Sequence, residues 1–143
     1  MTIATILQSR TGAVFTASAD ELVEQVTARL AEQRIGALPV VDGQRVIGIF
    51  SERDYARKGI LKARRAHETL VSELMSSPLI TVLPDQPMED CMQLMTERHI
   101  RHLPVMDGEE LVGMVTIGDV VMHTIRQQQS TIEQLEGYII GKY

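Results

Sequence analysis

The chain has 143 residues, 44% of them hydrophobic, enough for one domain or for two small halves that share a core. The net charge of −5 disfavours a general nucleic-acid-binding protein, although the basic run from Arg57 to Arg65 leaves such binding open beside its simpler interpretation as a solvated helix end. The single cysteine, Cys91, excludes a disulfide framework. With neither a signal-peptide pattern nor an apolar run of membrane-spanning length, we expect a soluble, cytoplasmic protein.

The first half of the sequence predicts an alternation of short helices and strands. In chain order, these are a helix over 2–8, a strand over 14–16, a helix capped by Asp20 and ended by Gly36, a hairpin of 38–41 with 46–50, and a helix from Ser51 to about Gly59. Residues 61–68 are a charged connector without the Gly and Ser content of a flexible linker.

The second half predicts the same order again. It comprises a helix with Val71, Leu74 and Met75, a strand over 79–81, a helix capped by Asp85 with Met88, Cys91, Met92 and Met95 inward, a hairpin of 103–106 with 111–115, and a helix from Thr116 toward Glu136. Gly137 is expected to interrupt this last helix and to leave an amphiphilic tail over 138–140.

A gapless duplication underlies this order. Leu38-Pro39-Val40-Val41-Asp42-Gly43 and Leu103-Pro104-Val105-Met106-Asp107-Gly108 are separated by a constant offset of 65 residues. The same offset relates Ser51-Glu52-Arg53-Asp54 to Thr116-Ile117-Gly118-Asp119. An internal repeat of this kind indicates two copies of one structural unit.

The duplicated Ser/Thr-x-x-Asp motif has two interpretations. A hydroxyl residue followed three positions later by an acid forms a capping box at the start of a helix. Alternatively, backbone N–H groups, a hydroxyl and a carboxylate at one helix end suit a nucleotide, with phosphates near the amides and the ribose diol on the carboxylate. The residues alone leave both open.

The sequence resembles the CBS domain, named for cystathionine β-synthase. The resemblance lies in the segments Ile35-Gly36-Ala37-Leu38-Pro39-Val40 and Ile100-Arg101-His102-Leu103-Pro104-Val105, each followed by Asp-Gly and then by Gly-x-x-Ser/Thr-x-x-Asp. Two tandem copies resemble a stand-alone Bateman module that covers nearly the whole chain. The resemblance implies an α+β fold of two β-α-β-β-α repeats packed through their sheets about a pseudo-twofold axis. We expect residues 1–65 to form the first repeat with its N-terminal helix, and 66–143 the second with a helical extension.

The resemblance also implies ligands and the residues that bind them. CBS pairs bind AMP, ADP or ATP, and alternatively NAD(H) or S-adenosylmethionine, with the motif aspartate on the ribose. Carried over by position, the first-repeat site would use Thr16, Ile35, Ala37, Pro39, Ser51, Arg53 and Asp54. The second-repeat site would use Thr81, Ile100, Arg101, His102, Pro104, Thr116 and Asp119.

The two copies differ in charge. Arg101 and His102 stand where the first repeat has Gly36 and Ala37, whereas Arg53 stands where the second has Gly118. We therefore expect two non-equivalent sites, with positive charge arriving from different sides.

Three functions follow for comparison. The first is a sensor of adenine nucleotides that acts allosterically on a separate effector protein or through its own oligomer; the resemblance also implies a homodimer. The second is a ligand-free interaction scaffold. The third is an enzyme, which the absence of a phosphate-binding loop and of a nucleophile beside a base disfavours.

His99 and His102 are three residues apart, but the sequence offers no further ligands that would complete a metal site with them.

Overall fold

The fold was analysed in a computed structural model that describes residues 1–8, 14–77 and 79–141. The helices and strands, in chain order, are α1 Ile3–Gln8, β1 Ala17–Ser18, α2 Val23–Gln33, β2 Ala37–Asp42, β3 Arg45–Ser51, α3 Glu52–Asp54, α4 Val71–Leu74, α5 Met88–Arg98, β4 His102–Asp107, β5 Glu110–Thr116 and α6 Ile117–Ile139. The first repeat contains β1, α2, β2, β3 and α3, and α3 continues into a π-helix over Tyr55–Ile60; the second contains α5, β4, β5 and α6. The short helices α1 and α4 precede the first and the second repeat.

The two hairpins have the same register, as the duplication predicts. Ala37 pairs with Ser51 in β2–β3, and His102 pairs with Thr116 in β4–β5. Both hairpins turn at a glycine with positive φ and have a bulge at the equivalent position. The matching registers confirm the α+β architecture of two equivalent units.

The two repeats exchange their short helices. On the β3 strand, Gly48 leaves room for Met75 and Ser76 at the end of α4, and the backbones of Ile49 and Ser76 exchange hydrogen bonds. On the β5 strand, Gly113 leaves room for Leu7 of α1. The helix that precedes each repeat in sequence therefore packs on the other repeat.

The hydrophobic cores follow this exchange. The second-repeat core includes Ile3 and Ile6 from the N-terminus, and the first-repeat core includes Val71 and Leu74 from beyond the connector. Within the described residues, each core therefore combines side chains from both sides of the division expected at residue 65. Burial of these apolar side chains joins the halves into one module.

The α2 and α5 helices begin later than predicted. The N-terminal cap of α2 is Leu22, not Asp20, and that of α5 is Pro87, not Asp85. In each case the chain stays extended because the cap residue forms a β-bridge, Leu22 with Leu70 and Pro87 with Thr2. These bridges belong to the exchange of helices, a tertiary contact that local capping preference does not reveal.

The first strand of each repeat also lies later than predicted. Residues 14–16 belong to no strand, and β1 is Ala17–Ser18, parallel to β2. Residues 79–81 form no strand; Val82 makes a single parallel bridge to Val105. The predicted strand positions are therefore wrong by a few residues. The residues at those positions lie in or next to the clefts described below.

The helix ends differ from the predictions as well. Arg34 and His99, at φ of 55° and 54°, take the left-handed position after α2 and α5, so Gly36 is not the terminating residue. The α6 helix continues through Gly137 to Ile139. Met92 is 38% exposed, whereas Met88, Cys91 and Met95 are buried as predicted.

Candidate functional site

Two clefts lie between the repeats, and each is built from both. The first, here called the Asp54 cleft, has a volume of about 370 Å³. Its walls come from the end of β3 and α3 in the first repeat and from the segments before β4 in the second. They are Gly36, Ile49, Ser51, Glu52, Arg53, Asp54, Arg57, Ser76, Leu79, Ile80, His99, Ile100, Arg101 and His102.

The second, here called the Thr116 cleft, has a volume of about 410 Å³. It combines the segments before β2 in the first repeat with β5 and the start of α6 in the second. Its walls are Leu7, Val14, Phe15, Arg34, Ile35, Gly36, Ala37, Pro39, His102, Val112, Gly113, Met114 and Thr116.

The structure groups the site residues across the repeats rather than within them. Ser51, Arg53 and Asp54 share their cleft with Ile100, Arg101 and His102. Thr116 shares its cleft with Ile35, Ala37 and Pro39. The sequence-based grouping of one site per repeat therefore differs from the arrangement in space. Each Ser/Thr-x-x-Asp motif faces the segment before the first hairpin strand of the other repeat, because the repeats pack face to face.

Asp54 is held firmly at one end of its cleft. Its Oδ2 accepts hydrogen bonds from the Ser51 backbone N–H at 2.9 Å and from the Ser51 hydroxyl at 3.1 Å. Its Oδ1 accepts one from the Ser76 hydroxyl at 2.8 Å, and the Lys58 Nζ lies 3.7 Å away. The capping interpretation of the motif is thus confirmed, and the carboxylate is also presented to the cleft with a fixed orientation.

Thr116 and Asp119 make the same box in the second repeat. The Asp119 Oδ2 accepts hydrogen bonds from the Thr116 backbone N–H at 2.7 Å and from its hydroxyl at 3.1 Å. The Thr116 hydroxyl in turn accepts one from the Asp119 N–H at 3.3 Å. Thr116 lines the cleft, and Asp119 is hydrogen-bonded to it but is not among the lining residues.

The clefts differ in their charged side chains: the Asp54 cleft has three arginines beside the carboxylates of Glu52 and Asp54, and the Thr116 cleft has one arginine and no carboxylate among its described lining residues. Arg53, Arg57 and Arg101 all line the Asp54 cleft, are exposed, and make no ion pair within the described residues. In the Thr116 cleft the only arginine among the described residues is Arg34. Arg53 and Arg101, which the sequence analysis assigned to different sites, therefore line the same cleft.

His102 belongs to both clefts, as does Gly36. Burial lowers the pKa of the His102 imidazole below its usual value, and the neighbouring Arg101 charge lowers it further. The ring is therefore uncharged at neutral pH in the free protein, and an anion beside it would favour protonation.

Four of the residues predicted from the resemblance do not line either cleft: Thr16, Thr81, Pro104 and Asp119. The Thr16 carbonyl accepts a hydrogen bond from Arg29 at 2.8 Å, and the Pro104 carbonyl accepts one from the Val82 N–H at 3.0 Å. Thr81 is exposed. These residues are next to the clefts in sequence, and their positions as ligand contacts stay predictions.

Several lining residues were not named in the site predicted from the sequence. Val14 and Phe15 line the Thr116 cleft, and Leu79 and Ile80 line the Asp54 cleft. The offset of 65 residues relates the two pairs, so the duplication could have identified them together. The resemblance selects only Thr16 and Thr81 from these two segments.

Two further features bear on function. Within residues 1–8, 14–77 and 79–141, no group of three or more His, Cys, Asp or Glu side chains is arranged to hold a metal ion. None of the helices formed by these residues is both long enough and apolar enough to cross a membrane.

A β-α-β-β-α first repeat and a second repeat in which a single β-bridge at Val82 replaces the first strand exchange their short helices and enclose two clefts, so they form one tandem-repeat module. The CBS domain family model matches residues 9–60 and 71–125. The chain therefore belongs to the CBS domain family, with two copies in tandem.

Known relatives agree in sequence and fold. The mitochondrial CBS domain-containing protein CBSX3 of Arabidopsis thaliana is 36% identical over 95% of this chain and 68% of its own length. A protein of Burkholderia ambifaria described as a signal-transduction protein with CBS domains is 42% identical, with a TM-score of 0.85 over 90% of this chain and 96% of its own. The CBS pair of MJ0100, solved with 5′-methylthioadenosine and S-adenosyl-L-methionine, is 24% identical, with a TM-score of 0.78 over 89% and 98% of the two chains, and shares the fold.

Proposed function

We propose that the chain is a regulatory module that binds adenine nucleotides and that its Asp54 cleft accepts the ligand with the greater phosphate charge. The observation that carries the proposal is the meeting of one fixed carboxylate with three arginines from two repeats in one cleft. This pairing of an acceptor with several cations matches a sugar diol joined to phosphates.

The chemistry of the cleft supports this ligand class. Guanidinium groups bind phosphate oxygens through two parallel hydrogen bonds, and Arg101 and Arg53 approach from opposite repeats. The Asp54 Oδ1 already accepts a hydrogen bond from a hydroxyl, that of Ser76, and a ribose hydroxyl can take its place. A volume of about 370 Å³ is within the usual range for small-molecule sites. AMP, ADP, ATP and NAD(H) all contain this sugar and phosphate.

The Thr116 cleft supports a less charged adenosyl compound. Leu7, Val14, Phe15, Val112 and Met114 give it a largely apolar wall. Such a wall suits a purine nucleoside whose 5′ substituent has no net negative charge, as in 5′-methylthioadenosine and S-adenosyl-L-methionine, the compounds with which MJ0100 was solved. A nucleoside or S-adenosylmethionine therefore fits this cleft better than ATP does.

The regulatory output follows from the construction of the clefts. A ligand in either one contacts both repeats, so it favours whichever relative packing of the repeats binds it more tightly. His102 and Gly36 line both clefts and provide direct contact between them. The signal then passes to an effector protein or to a second copy of the chain.

Titration calorimetry with AMP, ADP, ATP, NADH and S-adenosylmethionine tests the proposal. We expect Arg101→Ala to weaken ATP binding about tenfold or more, since a charged hydrogen-bonding pair is lost, and Arg34→Ala in the other cleft to leave it nearly unchanged. Thermal melting adds a second measurement, because a ligand at 100 times its Kd stabilises the protein by about 2.7 kcal/mol. If no adenosyl compound binds, or if both variants behave alike, the assignment is wrong.

A ligand-free scaffold is the second candidate. The observation that favours it is the row of exposed apolar side chains along α6, a surface suited to protein contacts. An unchanged melting temperature with every nucleotide, together with self-association, would support the scaffold.

A further inference from the structure

The C-terminal part of α6 extends away from the rest of the module. The first turns of α6 pack against α5, where the buried His123 ring contacts the Glu89 carboxylate at 3.2 Å and the Gln127 amide donates to the same oxygen. From Ile125 to Ile139, every residue except Gly137 is exposed. Within the described residues, this exposed half of α6 (125–139) has no packed partner along most of its length.

The exposed half of α6 has the pattern of a coiled coil. Its apolar residues, continued from Val121, recur at alternating spacings of four and three, with Gln128 at the one polar position. In heptad terms, Ile125, Ile132 and Ile139 occupy a, and Val121, Gln128 and Leu135 occupy d. The apolar members of this seam are between 40% and 84% exposed.

A helix with such a stripe needs a covering surface. An isolated helix of about 15 residues is marginal in water, and most helical stability in proteins comes from packing of the apolar face. Isoleucine at a and leucine at d favour two-stranded association. The pattern on the exposed face therefore identifies the kind of partner as another helix with the same repeat.

We infer that the exposed half of α6 pairs with the same segment of a second copy of this chain, in parallel and in register, as a two-stranded coiled coil. This inference does not depend on the ligand proposed for the clefts. It assigns to α6 a twofold interface in which each seam residue meets its own counterpart.

Gln128 selects the second copy and the parallel direction. In a parallel pair its side-chain amide meets the other Gln128, and the two can hydrogen-bond because each has a donor and an acceptor. In an antiparallel pair with the same seam, Gln128 would face Ile132 in both copies. That arrangement buries two amides without partners, at a cost of about 1–3 kcal/mol each.

The rest of the module leaves this face accessible. At about 100° of rotation per residue, His123 lies on the side of the helix opposite Val121 and Ile125. The face that packs on α5 is therefore not the face that carries the seam. Of the flanking positions, Thr124, Gln129 and Thr131 carry no charge, and Glu136 would face the uncharged Thr131 of the second copy in a parallel pair, so no like-charge repulsion opposes the pairing there.

The area available is sufficient for a stable contact. Met122 and Tyr138, 47% and 75% exposed, lie at the edges of the seam and extend it. Seven large, exposed apolar side chains supply an area on the order of the 800 Å² per partner found in standard interfaces.

Cysteine cross-linking of the full chain tests the inference. We expect Gln128→Cys to form an intermolecular disulfide under mild oxidation, since the two positions are adjacent across a parallel seam. Ser130→Cys, on the outer face of the same helix, is the matched control and should remain largely monomeric on a non-reducing gel. The native Cys91 does not compete, because it is buried and burial raises the pKa of its thiol to about 11.

A charge in the seam provides the second measurement. Ile132→Glu should weaken self-association in analytical ultracentrifugation at least tenfold and abolish the Gln128→Cys cross-link, whereas Ser130→Glu should do neither. Loss of the cross-link with a dimer retained would support the coiled coil and indicate an additional interface. Absence of the cross-link in the Gln128→Cys variant, equal cross-linking of Ser130→Cys, or no effect of Ile132→Glu would overturn the inference.

Discussion

Gly36 of the first repeat and His102 of the second lie against each other at the junction of the two clefts. A side-chain carbon on Gly36 would be 3.4 Å from the His102 Nε2, and both residues line both clefts. The His102 imidazole therefore lies where a change in either cleft reaches the wall of the other.

Nucleotide binding should take up a proton on His102. Burial and the Arg101 charge lower the pKa of the free protein's His102, and an adjacent phosphate should raise it. Affinity for ADP should then increase as the pH falls from 8 to 6, by up to about tenfold per pH unit. Calorimetry of the wild type and of His102→Gln separates this effect from titration of the ligand itself; parallel pH profiles for the two proteins would contradict it.

Adding an arginine to the Thr116 cleft, or removing one from the Asp54 cleft, should change the phosphate binding of that cleft. Gly118 is equivalent to Arg53 by the 65-residue offset, and the nearest atom to a side-chain carbon placed on it is the Thr116 hydroxyl oxygen at 3.5 Å. Gly118→Arg should therefore fold normally and strengthen polyphosphate binding at the Thr116 cleft several-fold, while Arg53→Gly weakens it at the Asp54 cleft. Competition calorimetry with ATP and S-adenosylmethionine measures both. An unchanged ATP profile in the Gly118→Arg protein would show that position 118 does not reach the cleft.

The ion pair of Glu21 with Arg29 should stabilise the edge of the Thr116 cleft in a pH-dependent way. Arg29 donates to both Glu21 oxygens, at 3.0 and 2.8 Å, and to the Thr16 carbonyl. These side-chain hydrogen bonds lower the pKa of Glu21, with burial opposing the shift. The stabilisation is thus present above about pH 4.3, the unfolded value, and is lost as the pH falls through the lower folded value.

Glu21→Gln should accordingly reduce the free energy of unfolding by about 1 kcal/mol at pH 7 and by little at pH 3. Urea denaturation at the two pH values measures the difference. The exposed Glu32→Gln is the control, for which a change within about 0.5 kcal/mol is expected at both. An equal loss for Glu21→Gln at both pH values would mean that the charge is not responsible.

Two equivalent glycines should tolerate alanine to different extents. At Gly48 the added carbon would lie 2.7 Å from the Met75 sulfur and 2.9 Å from the Ser76 carbonyl oxygen, which belongs to the backbone. At Gly113 the three nearest atoms among the described residues all belong to the Leu7 side chain, the closest at 2.8 Å. We expect losses of about 2–3 kcal/mol for Gly48→Ala and about 1 kcal/mol for Gly113→Ala, because a leucine can rotate and a hydrogen-bonded carbonyl cannot. Chemical denaturation checks the order; the reverse order would be inconsistent with this packing.

The duplication made the hairpins and the capping boxes predictable, since both depend on residues close together in sequence. Register, turn glycines and the Ser51–Asp54 and Thr116–Asp119 hydrogen bonds all agree with it. The starts of α2 and α5 were misplaced because Leu22 and Pro87 are held extended by residues far away in sequence. The meeting of Arg53 and Arg101 in one cleft was not predicted for the same reason. It depends on how the two repeats pack against each other, which periodicity and spacing do not encode.

The exchange of α1 and α4 has a consequence for any attempt to divide the chain. A fragment of residues 1–65 contains α1, which belongs on the other repeat, and lacks Val71 and Leu74, which complete its own core. Two copies of such a fragment could supply the missing helix to each other, as in a domain-swapped dimer. The intact chain is thus the covalently linked equivalent of such a swapped dimer. Its connector replaces with an intramolecular contact the bimolecular association that separate repeats would need.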